Sequence, residues 1–137
     1  MERSRRFSAF VASGRDPRST IREALQFARD FLAQSCLDER ARVKAAIIVE
    51  ELVSNCLRHG GAERDQSMCL MLQDTGASMV LELEDEGAAF DPTSGISFAG
   101  PDPITGGGIG LAIVRAWGED ISYSRNGTRN YLRLTIR

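Results

Sequence analysis

Lysine and histidine are almost missing from this sequence: Lys44 and His59 are the only examples of each. A phosphate loop of the Walker type needs its lysine inside a Gly-Lys-Ser/Thr tripeptide. Lys44 stands between Val43 and Ala45, so that loop is excluded. Cysteine is scarce as well. Cys36, Cys56 and Cys69 are odd in number and widely spaced, which argues against a disulfide framework. Cys56 and His59 lie three apart, but no second pair completes a zinc site. The thiols therefore read as buried or half-buried side chains. No apolar run approaches the roughly 20 residues of a membrane-crossing helix. The N-terminus, Met1 to Arg6, is basic but lacks the apolar stretch of a signal peptide. A net charge of −2 gives no general attraction to nucleic acid or to an anionic membrane. These absences predict a soluble, cytoplasmic protein with no membrane and no direct nucleic-acid contact.

What is present suits one domain spanning residues 1–137, with one core. Residues 7–11 predict a first strand with Phe7, Ala9 and Val11 on one face. Asp16-Pro17 marks a helix start, a capping carboxylate before a first-turn proline. Ile21, Leu25, Ala28 and Leu32 recur at helical spacing and carry that helix to about residue 35. A second helix runs from about residue 38 to 58, with Val43, Ile47, Leu52 and Cys56 on its apolar side. Gly60-Gly61 stops it. Two strands follow at 67–72 and 79–84, joined by a turn at Asp74-Thr75-Gly76. Residues 87–108 are rich in Gly, Pro, Ser, Thr and Asp without a period, and long loops in compact domains usually carry function. A helix at 110–117 and strands at 121–124 and 131–136, around Asn126-Gly127, complete the chain. The layout predicts an α+β two-layer sandwich, helices on one face of a mostly antiparallel mixed sheet.

Three motifs carry chemistry. Glu51, Asn55 and His59 recur every four residues on the second helix, so they lie in one stripe about 6 Å apart along the axis. Alone, that spacing is also what a solvated helix face shows. The segment Asp85 to Pro92 follows a strand. A carboxylate there can accept from a purine amino group while Gly87 lets the backbone approach the ring. Turns rich in Asp and Gly are common on their own account. Last, Gly106, Gly108 and Gly110 lead into Leu111 and an apolar helix. Glycines pack backbone around phosphates, and a new helix aims N–H groups and its positive end at them. A dinucleotide loop would open a βαβ unit, yet here only a hairpin follows.

Taken in order, Glu-x3-Asn-x3-His-Gly, then Asp-x-Gly, then Gly-x-Gly-x-Gly-Leu resembles the three nucleotide-binding boxes of the GHKL ATPase superfamily. The segments 51–60 and 85–92 and the tail Asn130-Tyr131-Leu132-Arg133-Leu134 are most similar to the anti-sigma-factor serine/threonine kinases. The resemblance implies the GHKL, or Bergerat, ATP-binding fold, with ATP and Mg²⁺ as ligands. It implies Glu51 as general base and Asn55 as the Mg²⁺ ligand. It implies Asp85 with Gly87 at the adenine, and Gly106, Gly108, Gly110 and Leu111 at the phosphates, behind an ATP lid. Ala89 replaces a second glycine that many members carry, and the anti-sigma kinases often lack it too. Only Glu51, not Glu50, precedes Asn55 by four residues; Glu50 lies about 100° round the helix.

The implied activity is phosphorylation of Ser or Thr on a STAS-domain anti-anti-sigma partner, a step in transcription regulation by partner switching. Sigma-factor binding is a second implied activity, and a homodimer joined along the 7–11 edge strand a further expectation. The alternative is a nucleotide-binding regulatory module with little or no phosphotransfer. The catalytic half of a two-component histidine kinase fits poorly, because His59, inside the nucleotide motif, leaves no substrate histidine. His59 itself reads either as a phosphate contact or as a packing residue at the helix end. Arg115 reads as a phosphate or partner contact, or as a solvated arginine.

Overall fold

The computed structural model describes residues 3–59, 64–86 and 109–137. Strand β1 (Arg3–Val11) is followed by helices α1 (Arg18–Ala33) and α2 (Glu39–His59). Strands β2 (Gln66–Asp74) and β3 (Met79–Asp85) come next, then helix α3 (Ile109–Trp117). Strands β4 (Glu119–Asn126) and β5 (Arg129–Ile136) end the order.

Helix α2 starts where Asp38 accepts the Ala41 N–H at 2.8 Å, an N-cap of the kind worth about 1 kcal/mol. Helix α1 starts differently from the sequence expectation. Asp16 does accept a backbone N–H, from Arg18 at 3.0 Å, but it stands one residue before the cap position, which Pro17 fills. Both hairpin turns rest on glycine. Gly76 (φ 90°) closes β2 to β3, with its N–H bonded to Asp74 at 2.9 Å. Gly127 (φ 63°) takes the first central position of the β4–β5 turn, as a II′ turn requires.

The sheet order is β1-β2-β3-β5-β4, and each of the four pairings is antiparallel. The α+β layout with a mostly antiparallel sheet is met, and among the described residues every pairing is antiparallel. The chain crosses from β3 through α3 to the far edge, β4, and hairpins back so that β5 fills the gap. Alternation assigns the two faces. Phe7, Leu70, Leu72, Leu81, Leu83, Leu132 and Leu134 belong to the core under the helices. The opposite face carries Glu82, Glu84, Arg129 and Arg133, joined in exposed ion pairs that add little stability.

Helix α2 packs against both α1 and α3 and also touches β5. Its buried arc runs through Ala41, Ala45, Ile48, Val49, Leu52, Val53 and Leu57. Fully burying a Leu or Ile contributes about 1.5–3 kcal/mol, so this arc anchors the helix layer. Val43 does not belong to it. Two residues from Ala41 is about 200° of helix, and Val43 is 53% exposed in a groove beside Lys44 and Trp117. The expected apolar side is thus corrected to the 41–45–48–52 arc.

Candidate nucleotide site

Glu84 and Asp85 end β3 and Glu86 follows it, three acidic residues in a row. Strand alternation separates them. Glu84 and Glu86 turn to the outer face, where Arg129 pairs with both at 3.2 and 2.8 Å. Asp85 turns to the helix side, towards the Cys56 thiol of α2. Burial first, and then the charge and hydrogen bond of Asp85, push the Cys56 thiol well above its ordinary pKa. It stays protonated.

Cys56 is the residue after Asn55. The thiol contact therefore fixes the acidic strand end against the turn of α2 that carries Asn55. Glu51 lies one turn earlier on the same helix, and both Glu51 and Asn55 are half-buried. The neighbouring carboxylate differs: Glu50 is exposed and lines a separate groove with Arg18, Ser19 and Arg22 at the start of α1. Glu50 and Glu51 thus stand in different surroundings.

Helix α3 begins at Ile109, so Gly110 and Leu111 form its first turn and its positive end lies there. Arg115 is half-buried in its last turn. Gly118 ends it, donating to Val114 at 2.8 Å. Gly87, Gly106 and Gly108, the expected lid between them, and the stop at Gly60-Gly61 lie outside the described residues. His59 ends α2 in the backbone, and its side chain lies outside the description too.

The donor set of α2 suits a small hard cation. Mg²⁺ takes oxygen ligands, keeps waters and shares its shell with substrate phosphates. An Asn55 amide oxygen beside a carboxylate one turn away fits that chemistry. Among the described residues no group of three His, Cys, Asp or Glu side chains gathers into an all-protein cage.

Sequence reasoning left four residues at this site without a role: Cys56, Tyr123, Arg125 and Asn130. Asn130 sits opposite Asp85 in the ladder and donates to it at 2.9 Å. Its oxygen takes Arg125 at 2.8 Å and the Tyr123 hydroxyl. Asn130 stands in the tail segment quoted above, but only the strand register makes it Asp85's partner.

Comparison with known proteins gives the family of this α+β domain. The chain belongs to the family described as the histidine kinase-like ATPase domain, which matches residues 15–136. It is similar to the serine/threonine-protein kinase BtrW of Bordetella bronchiseptica, at 27% identity over 121 residues, 85% of each chain. Among the described residues no helix is long and apolar enough to cross a membrane.

Proposed function

We propose that the protein is an ATP-dependent serine/threonine protein kinase that phosphorylates a STAS-domain anti-anti-sigma partner, with sigma-factor binding as a second activity. The observation that supports it is the Cys56–Asp85 contact, which joins the adenine-type aspartate to the helix turn bearing Asn55 and Glu51. The named kinase relative adds weight to phosphotransfer over mere nucleotide binding. ATP supplies the phosphoryl group. Asp85 accepts from the adenine amino group, and Gly87 lets the ring approach. Gly106, Gly108, Gly110 and Leu111 surround the phosphates at the start of α3. Asn55 holds Mg²⁺, which neutralises phosphate charge. Glu51 orients the attacking hydroxyl and takes its proton. Phosphoryl transfer needs position and charge neutralisation more than covalent help, so this short list suffices.

Glu51→Gln tests the assignment. It keeps size and hydrogen bonding and removes the charge. Labelled-phosphate transfer to the cognate partner falls by about 10²–10⁴-fold, as for a lost general base, while calorimetric ATP affinity stays near wild type. Equal transfer by both proteins would remove Glu51 from the mechanism. A wild type that binds ATP and its partner yet transfers nothing would make the domain a regulatory nucleotide-binding module instead.

A further inference from the structure

Asp85 does not end its strand unsupported. Directly across the β3–β5 ladder stands Asn130, only 4% exposed. A buried side-chain amide must satisfy a donor end and an acceptor end. The Asn130 Nδ2 donates to Asp85 Oδ1 at 2.9 Å. The Asn130 Oδ1 accepts from Arg125 Nη1 at 2.8 Å and from the Tyr123 hydroxyl. Turned over, the amide would set its oxygen against a carboxylate and its N–H groups against the guanidinium. Its orientation is therefore fixed by the network around it.

Arg125 is itself the cross-strand neighbour of Asn130 on β4. A row of three side chains thus crosses three strands: guanidinium, amide, carboxylate. Arg125 is exposed on the edge strand, and its guanidinium holds the amide oxygen from there, which leaves the amide N–H end turned to Asp85. From the helix layer the Cys56 thiol reaches the same carboxylate. The last torsion of an aspartate is broad and soft, so a carboxylate without such contacts samples many orientations. A carboxylate accepts at about four sites, which leaves internal donors and an exocyclic amine compatible.

The geometry points to Asn130 as a positioning residue for base recognition: held in register by Tyr123 and Arg125, it aims the Asp85 carboxylate. It acts through Asp85, and it rests on Asp85 being the adenine acceptor. Adenine presents an amino group where guanine presents a carbonyl oxygen. An aimed carboxylate welcomes the first and repels the second, so Asn130 governs the preference for ATP over GTP.

The experiment is calorimetric titration of wild type, Asp85→Asn, Asn130→Ala, Asn130→Asp and Tyr123→Phe with ATP and GTP in the presence of Mg²⁺. Asn130→Ala loses about tenfold in ATP affinity and leaves GTP affinity unchanged. Tyr123→Phe removes one hydroxyl and keeps the ring; it moves the ATP-to-GTP ratio the same way by about threefold. It keeps the test decisive if Asn130→Ala does not fold. Asn130→Asp sets a second carboxyl against Asp85, so the pair shares a proton at a raised pKa. That proton restores the missing donor, and ATP affinity relative to wild type rises as pH falls from about 8 to about 5.5. Among the described residues, the other titratable or charged groups named beside this pair are Cys56 from α2 and Tyr123 and Arg125 from β4; β2 presents Met68 opposite Asp85. A purely structural asparagine predicts lower stability with no change of ratio and no pH step. If Asp85→Asn loses ATP while Tyr123→Phe and the folded Asn130 variants keep the wild-type ratio, the positioning role is overturned and the adenine contact stands. If Asp85→Asn binds ATP like wild type, the adenine contact fails and the positioning role with it.

Discussion

Replacing Asp74 by alanine should cost the fold about 2–3 kcal/mol and leave nucleotide affinity unchanged. Asp74 ends β2, is only 6% exposed, and takes three donors at 2.9 Å each. They are the Cys36 N–H, the Cys36 thiol and the Gly76 N–H. The carboxylate therefore ties the α1–α2 connection to the β2–β3 turn. Alanine strands two backbone N–H groups, each worth roughly 1–3 kcal/mol when left unmade. Both belong to exposed residues, so water recovers part of the loss and the low end applies. Asp74→Asn keeps one acceptor oxygen and costs about 1–2 kcal/mol. For a chain of this size each kcal/mol lowers Tm by about 3–4 °C.

The effect carries a pH signature. The Cys36 hydrogen bond, chiefly, holds Asp74 below the usual carboxylate range, helped by the Gly76 and Cys36 N–H groups. A group with a depressed folded pKa stabilises above its unfolded pKa and loses that contribution as pH falls through the folded one. The stability gap between wild type and Asp74→Asn should stay flat from pH 7 to about 5. It should shrink below about 4, near the unfolded aspartate value. Urea titration at a series of pH values measures it. A gap under about 0.5 kcal/mol at pH 7, or one that does not shrink in acid, would refute the argument. Asp74 pairs with Met79 and Asp85 with Met68, so the two lie at opposite ends of the β2–β3 hairpin. Lost ATP affinity would refute the separation of the two roles.

Asn55→Ala should impair Mg²⁺-dependent nucleotide binding and turnover together, read by calorimetry with and without Mg²⁺; an unchanged Mg²⁺ dependence would release Asn55 from the metal. Gly118→Ala should destabilise by about 1–3 kcal/mol in a thermal melt, because the new Cβ would stand 2.8 Å from the Val114 carbonyl oxygen, which is helix backbone. A homodimer joined at the β1 edge should show twice the monomer mass in light scattering; a monomer mass across the micromolar range would count against it.

Much of the fold was legible because its signals are local. Helical spacing in 21–32 and strand alternation in 79–84 depend on neighbours in sequence, and most element ends fell within a few residues. Val43 shows where local reasoning stops. Apolar residues on α2 occur on several sides, and only the packing of α1 and α3 decides which of them face the core. The strand order β1-β2-β3-β5-β4 was hidden for a similar reason, since it is a long-range property. At the site, the spacing of Glu51 and Asn55 and the position of Asp85 at a strand end could be read directly. The contacts that join them could not. Cys56 looked like any half-buried thiol, and Asn130 like one residue of a tail, until the register set both beside Asp85.

The insertion of β5 between β3 and β4 has a consequence for biosynthesis. A nascent chain that has reached Trp117 already holds α1, α2 and α3 and both α2 residues of the proposed chemistry. The β3 edge is still open, however, and Asp85 still lacks its partner, which arrives 45 residues later. Pairings of such long sequence separation form slowly, because chain entropy must be lost before the contact is made. Nucleotide competence should then appear abruptly, with the docking of the final hairpin. A domain assembled in this order would stay silent until the β4–β5 hairpin had docked beside β3.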